Sequence, residues 1–378
     1  MILTVGGVAA GGACVGRAED GRVVFVRHAL PGETVRVAVT SEGSRFLRAD
    51  AVEVLEASPD RVEPPCPYVG SCGGCDWQHA SPSAQLRLKA DLVREHLRRL
   101  AGYDWAGSVE AVEPLWGWRT RMQWSVGPGG SVGLRRHRST EVVEVQRCLI
   151  AADVPPYGDF PEGASVEVTS VAGQRAVTVD GRAVEGHGVR VPVAGRRFEV
   201  AAGGFWQVHV RAPEVLWEAV REGLQPRPGE AVADLYAGAG LFAALLGDAV
   251  GPTGSVLAVE GSTRACADAA RNSDDQPWVK VRTAAVTPAL VSRLRADLVV
   301  LDPPRAGAGL EVAAALAGLR PRALAYVSCD AATFSRDLRV LRDTGWEVAS
   351  LRVLDLYPQT EHVELVAVLH PPAPPPSR

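Results

Sequence analysis

The first 57 residues alternate short apolar runs with turn signals. Val23-Val24-Phe25-Val26 and the stretch Thr34 to Val39 are separated by Pro31-Gly32 and preceded by Gly21, the spacing of a small β-barrel or sandwich. The opening sixteen residues carry no charge, yet they lack a basic start and five of them are glycine, so they read as strand and turn rather than as an export signal. A proline-punctuated stretch, Ser58 to Pro65, marks a first boundary. Beyond it Leu86, Leu88, Leu92, Val93, Leu97 and Leu100 recur at near-helical spacing behind Ser81-Pro82-Ser83, which predicts a helix over 83–100.

Residues 109 to about 200 return to short β segments rich in glycine and valine, and a helix at about 211–223 leads into the last part. Strands are predicted there at 231–235, 255–259, 298–301, 324–328 and 365–369. Helices are predicted between them at 241–246, 264–272, 310–319 and 333–343. Such alternation builds a parallel sheet covered on both faces. The proline-rich tail, 371–378, can bury nothing and is expected to be disordered. No run of eighteen apolar residues exists, which excludes a transmembrane helix and leaves a cytoplasmic location as the expectation.

The chain has 378 residues, 47% hydrophobic and 22% charged, enough to build more than one core. Its 40 basic residues are outnumbered by 44 acidic ones, so any surface for a nucleic acid must be local. One such concentration lies between Leu115 and Thr140: Arg119, Arg121, Arg135, Arg136 and Arg138 without a single acid, among Trp116, Trp118, Trp124 and His137. Cations interleaved with aromatics suit single-stranded RNA; the alternative is a solvated hairpin over core tryptophans. Seven cysteines, an odd number, do not read as a disulfide framework.

The glycine loop Asp234-Leu235-Tyr236-Ala237-Gly238-Ala239-Gly240 follows a strand and opens a helix, and Glu260 closes the next strand, where a carboxylate can accept from ribose hydroxyls. By itself the loop fits S-adenosyl-L-methionine, a dinucleotide or a plain structural turn. Asp302-Pro303-Pro304-Arg305 ends an apolar strand and stiffens the carboxyl edge of the sheet, a place to hold a flat base. Cys329 stands where a strand gives way to a helix, a position that favours a reactive thiolate. Glu364 opens the last strand and is expected at a sheet edge. A thiolate, a carboxylate and a methyl donor together match alkylation of carbon 5 of uracil, which is a poor nucleophile until something adds at carbon 6.

With these residues the chain resembles the RNA uridine-C5 methyltransferases, specifically the iron-sulfur branch that modifies 23S ribosomal RNA. The resemblance runs nearly end to end. Residues 1–57, with Asp20-Gly21, Phe25-Val26 and Leu30-Pro31-Gly32-Glu33, look like a TRAM domain, an OB-like RNA-binding barrel. Cys66, Cys72 and Cys75 with Trp77, Gln78 and His79 are similar to the cluster motif, Gly204 to Val208 to the glutamine segment, and Ser328-Cys329-Asp330 and His362-Val363-Glu364 to the reactive segments. The resemblance implies Cys329 as nucleophile, Glu364 as the base for the carbon-5 proton, and Gln207, Tyr236, Glu260 and Asp302 as cofactor and active-site contacts. It departs at Ala331, where the family has proline, and at Leu241, where it has asparagine.

Cys66, Cys72 and Cys75 are three soft ligands within ten residues, and by spacing they suit iron-sulfur, zinc or no metal. The resemblance implies a 4Fe-4S cluster with Cys148 as the fourth ligand. Cys14 and Cys266 are read as core residues. The expected architecture is a multidomain α/β chain. It comprises an OB-like TRAM β-barrel (1–57), a β-rich central domain with an iron-sulfur cluster (58–200), and a Rossmann-like methyltransferase domain (201–370) dependent on S-adenosyl-L-methionine. The helix 83–100 is free to pack on the third domain. The expected partner of this monomer is RNA, 23S ribosomal RNA ahead of transfer RNA, and not a membrane. Its rivals are amino-group methylation at Asp302-Pro303-Pro304, a nicotinamide oxidoreductase and a non-catalytic RNA-binding factor.

Overall fold

In the computed structural model, which describes residues 1–373, the N-terminal alternation becomes five strands. These are β1 (Ile2–Thr4), β2 (Cys14–Arg17), β3 (Val23–Arg27), β4 (Thr34–Glu42) and β5 (Phe46–Glu56), in the order β1-β4-β5-β3-β2. Hydrogen bonds from Gly6 N–H to Val15 O (2.8 Å) and from Val15 N–H to Gly7 O (3.0 Å) join the two ends of the sheet. Val24, Val26, Val35, Val37, Leu47 and Ala49 alternate into the enclosed core, as a period of two requires. Arg61, from the proline-rich connection, reaches back to the fully buried Glu33 with two 2.6 Å bonds and anchors the linker to the barrel.

Helix α1 (Pro82–His96) is capped by Ser81, whose hydroxyl accepts from Ala84 N–H, and runs on into a π-helical turn over Leu97–Ala101. Its Ala90, Val93 and Leu97 share a core with Phe334, Leu338 and Leu341, far along the chain. Strand β6 (Val109–Ala111) follows. A six-stranded antiparallel sheet comes next, made of β7 (Arg121–Val126), β8 (Val132–Arg135), β9 (Val142–Glu144), β10 (Ser165–Val171), β11 (Gln174–Val179) and β12 (Arg182–Glu185). The hairpin β13 (Gly188–Val193) and β14 (Arg196–Ala201) and helix α2 (Ala212–Leu224) complete the middle of the chain; Val191, Phe198 and Val200 pack with Leu216 and Val220.

The C-terminal part contains β15 (Ala231–Leu235), α3 (Leu241–Val250), β16 (Ser255–Glu260), α4 (Thr263–Asn272), β17 (Val279–Thr283), α5 (Pro288–Val291) and β18 (Leu298–Leu301). After these come α6 (Leu310–Leu319), β19 (Ala323–Ser328), α7 (Ala331–Asp343), β20 (Glu347–Asp355) and β21 (Glu364–His370). The sheet order is β17-β16-β15-β18-β19-β21-β20-β6. Strands β15 to β19 are parallel; β21 runs antiparallel between β19 and β20, and β6 adds a parallel edge strand beside β20. The order reverses beside β15, which opens a crevice at the carboxyl ends of β15, β16 and β18.

Three expectations are corrected. The parallel sheet is mixed, because β20 and β21 form an antiparallel hairpin that the sequence pattern did not reveal. Glu364 therefore opens an interior strand and is buried, not placed at an edge. The stretch 58–200 is not one β-rich unit, since β6 joins the large sheet and the β13–β14 hairpin packs into its core, beside α1, for which the sequence had left that packing open. The expectation for the tail lies, from residue 374 onward, outside the described residues.

Candidate active site

The crevice continues into a cavity of about 1280 Å³ whose wall takes residues from every part of the chain. Gly11 comes from the barrel, Gly73, Gly74 and Asp76 from the cysteine loop, and Arg119, Arg121, His137 and Arg138 from the arginine-rich stretch. Gly204 to Val208 and the strand ends holding Tyr236, Glu260, Asp302, Cys329 and Glu364 complete it. All six residues expected as nucleophile, base or cofactor contact thus face one space. The glycine loop forms one end. Gly240 has φ +85°, and a Cβ there would lie 3.0 Å from Ala269 Cα, so only glycine fits this close approach of α4. Glu260 accepts from Gly238 N–H (3.0 Å) and Ser262 N–H (2.7 Å), one on each oxygen; each oxygen keeps a second lone pair for a ribose hydroxyl. Beneath the loop Asp234 is fully buried with neither oxygen hydrogen-bonded, and burial drives its carboxyl well above the usual range. Leu241, 6% exposed, gives the cavity an apolar wall at this end.

At the other end Gln207 Nε2 donates to Asp302 Oδ2 at 2.9 Å. Burial raises the Asp302 carboxyl, and it raises that of Glu364 well beyond, with the charge of Asp302 adding to the effect; Tyr357 and Arg305 act the other way. Tyr357 Oη donates to Glu364 Oε2 at 2.9 Å. Cys329 sits between β19 and the Asp330 cap of α7, which accepts from Thr333 N–H at 2.7 Å and fixes the turn that proline would otherwise stiffen. A helix terminus favours the ionised form of this thiol. Burial and then the charge of Glu364 push it up to about 12, against which Arg305 acts alone. The helix terminus that favours a thiolate is thus opposed by desolvation and by the neighbouring carboxylates.

The arginine-rich stretch divides. Trp118 and Trp124 are core residues, each about 1% exposed or less, so they are not available to stack on bases. Arg119, Arg121, His137 and Arg138 do line the cavity, while Arg136 is tied to Glu141 at 3.0 Å. Cation and aromatic meet instead on the barrel, where the half-buried Arg48 lies over the rings of Phe25 (5.8 Å) and the exposed Phe46 (5.2 Å), and beside the cavity, where the half-buried Arg121 lies 6.0 Å from the exposed Phe205. Barrel and cavity are joined at a polar seam. Glu361 Oε2 accepts from Gly11 N–H at 2.5 Å, Asp76 Oδ2 accepts from Glu361 N–H at 3.2 Å, and Trp77 Nε1 donates to Gly12 O at 2.9 Å. Sequence reasoning missed Tyr357 and this seam; neither has a local signature.

Cys66, Cys72, Cys75 and Cys148 are unpaired and line a second cavity of about 280 Å³. Among the described residues no set of three or more ligating groups converges on a single ion; the four thiols surround a space. Burial pushes Cys75 up to about 12 and raises Cys72 and Cys148, so they would become thiolates only against a compensating positive charge. Cys14 is buried in the barrel's apolar core, and Cys266 is buried on α4, its thiol donating to Glu260 O at 3.3 Å. No helix among the described residues is long and apolar enough to cross a membrane.

Residues 2–52 match the TRAM domain and residues 286–371 match the tRNA (Uracil-5-)-methyltransferase family. An RNA methyltransferase of Streptomyces avermitilis is 44% identical, with 98% of each chain covered. The 23S rRNA (uracil(1939)-C(5))-methyltransferase RlmD of Acinetobacter baylyi is 28% identical over 93% of this chain and 89% of its own. The tRNA (uracil-54, C5)-methyltransferase of Pyrococcus abyssi, solved with S-adenosyl-L-homocysteine, shares the fold with a TM-score of 0.71 at 21% identity, covering 98% of this chain and all of that one. The chain belongs to the RNA methyltransferases that join an N-terminal TRAM domain to a C-terminal, S-adenosylmethionine-dependent uracil-5-methyltransferase domain.

Proposed function

We propose that the protein methylates carbon 5 of a uridine in 23S ribosomal RNA, through a covalent bond between Cys329 and carbon 6, in the cytoplasm and as a monomer. The observation that carries this reading is the convergence of Cys329, Glu364, Asp302 and the glycine loop on one cavity. Gln207, Tyr236 and Glu260 hold the cofactor, and Asp302, locked by Gln207, presents a polar edge to the base. Addition of the Cys329 sulfur to carbon 6 makes carbon 5 nucleophilic, and carbon 5 displaces the methyl group from the sulfonium. Glu364 then takes the carbon-5 proton while the carbon-6 to sulfur bond breaks and the thiolate leaves. The thiol proton leaves to water as the sulfur adds, and the resulting enolate carries the negative charge until carbon 5 takes the methyl group.

RNA in which uridine carries fluorine at carbon 5 tests the mechanism, since fluorine cannot depart as a cation and elimination stalls. The native protein with S-adenosylmethionine should form a complex stable to denaturing electrophoresis, and Cys329→Ala should form none. A trapped complex in Cys329→Ala would sink the assignment. Preference for ribosomal over transfer RNA rests on the match to RlmD and on the cysteine set.

For that set we infer a 4Fe-4S cluster held by Cys66, Cys72, Cys75 and Cys148. Four thiols around one cavity, rather than at one point, suit a cuboidal cluster better than a zinc ion. The cluster would supply charge that keeps the four sulfurs ionised and would join the loop 66–75 to the loop holding Cys148, beside the cavity wall; methyl transfer of this kind needs no redox step. Anaerobically prepared protein should be brown and carry about four irons per chain. Stoichiometric zinc would refute the cluster.

A further inference from the structure

The loop between β20 and β21 holds its tyrosine with unusual constraint. Lys89 Nζ, from α1, donates to Tyr357 O (3.0 Å) and to Asp355 Oδ1 (2.5 Å), and Asp355 Oδ1 also accepts from Tyr357 N–H at 3.3 Å. The ring is set edge-on against Trp118 (6.2 Å, 87°) and His362 (6.0 Å, 79°). The backbone is thus fixed from one side and the ring from two others, which leaves the hydroxyl a defined direction. It donates to Glu364 Oε2.

We propose that Tyr357 is a positioning residue for the methyltransferase reaction: its hydroxyl ties Oε2 of Glu364, leaves Oε1 free for the carbon-5 proton and favours the ionised over the neutral carboxyl. This rests on the reading of Glu364 as the base. The charged and titratable groups that face Glu364 are Asp302 at the end of β18, Arg305 after it, Cys329 at the end of β19 and Tyr357 itself. Asp302 opposes the ionised form and only Arg305 and Tyr357 favour it, so removing the hydroxyl removes one of two supports. Addition and methyl transfer leave Glu364 untouched. The step that fails is the last one, in which the carbon-5 to hydrogen electron pair becomes the new double bond, the proton goes to Oε1 and the carbon-6 to sulfur bond breaks.

Tyr357→Phe deletes the hydroxyl and keeps the ring. Since a hydrogen bond to a buried carboxylate is worth about one to two pH units, the acid limb of the turnover profile should move up by about that amount. A methylated, denaturation-stable protein–RNA complex should also accumulate during turnover on ordinary RNA. A merely structural loss would lower adduct formation along with turnover. Biosynthetic replacement of tyrosine by 3-fluorotyrosine keeps the packing and strengthens the donor, and should move the same limb down. An unmoved limb in both proteins, no accumulated adduct in Tyr357→Phe, or loss of S-adenosylhomocysteine binding by Tyr357→Phe would overturn the proposal. Turnover retained by Glu364→Gln would instead overturn the base itself, whatever Tyr357→Phe does.

Discussion

Cys329 in the free protein should be a sluggish thiol, and the size of the effect follows from its surroundings. Its value of about 12 stands three units above the ordinary 9.0, so at neutral pH the thiolate fraction falls about a thousandfold. A more basic thiolate is intrinsically more nucleophilic, with a Brønsted slope of about 0.4–0.5, which returns roughly 15- to 30-fold. The net expectation is alkylation about 30- to 70-fold slower than for the same cysteine in the unfolded chain. Iodoacetamide labelling between pH 7 and 9, followed on the Cys329 peptide by mass spectrometry with and without urea, reads this directly. Arg305→Ala, which removes the one cation favouring the thiolate, should slow labelling further. Labelling of the folded protein as fast as the unfolded one, with a midpoint below pH 8, would refute the reasoning and restore the helix terminus as the dominant influence.

Three further outcomes follow from the same physics. Burial, with Asp76 adding to it, raises Glu361 from 4.5 to about 7; the stability tied to its neutral form is full below 4.5 and lost as pH rises through 7. Glu361→Gln should therefore gain about 3 kcal/mol over the native protein at pH 8.5 and nothing at pH 4.5 by urea unfolding, and an equal gain at both would contradict the seam's electrostatics. Lys89→Met leaves the buried Asp355 without its counter-ion and should cost about 3–5 kcal/mol, most of it recovered in Lys89→Met with Asp355→Leu; a loss below about 1 kcal/mol would show the pair to be hydrated. Gly240→Ala drives a methyl group to 3.0 Å from Ala269 Cα at a φ of +85° and should weaken S-adenosylhomocysteine binding at least about tenfold by calorimetry. Unchanged affinity would mean the loop is free to shift.

The parts of the fold that the sequence discloses are those whose burial is written locally. Leu298 to Leu301 is apolar throughout because both faces of β18 are covered, and α1 shows its stripe because one face alone is buried. Strand β20 hides because its first six residues are exposed or half-exposed and a bulge between Val348 and Ser350 breaks its alternation. Three-residue β6 exists only through pairing with Val353 to Asp355, some 240 positions away. That one omission misplaced Glu364 on an edge.

The site shows the same division. Side chains expected from motif positions, Cys329, Glu364, Gln207, Tyr236, Glu260 and Asp302, share the cavity because each ends or follows a parallel strand, opens the antiparallel β21 at the same side of the sheet, or lies on the adjoining loop. Their electrostatics were not legible, since the Cys329 thiol is set first by its burial and then by the charge of Glu364, both of which only the folded chain creates. Trp118 and Trp124 looked like stacking platforms among arginines, yet strand periodicity turns Trp124 inward, and Trp118 packs on His209. Tyr357 is one aromatic in a loop, and nothing local distinguishes it until Lys89 and Glu364 are brought to it.

Release of tritium from RNA labelled at uridine carbon 5 tests the central claim most directly. With S-adenosylmethionine the native protein should release one tritium for each methyl group gained, from 23S ribosomal RNA and not from transfer RNA, and Cys329→Ala should release none. Methyl incorporation without tritium release would place the methyl group elsewhere on the base and contradict the account.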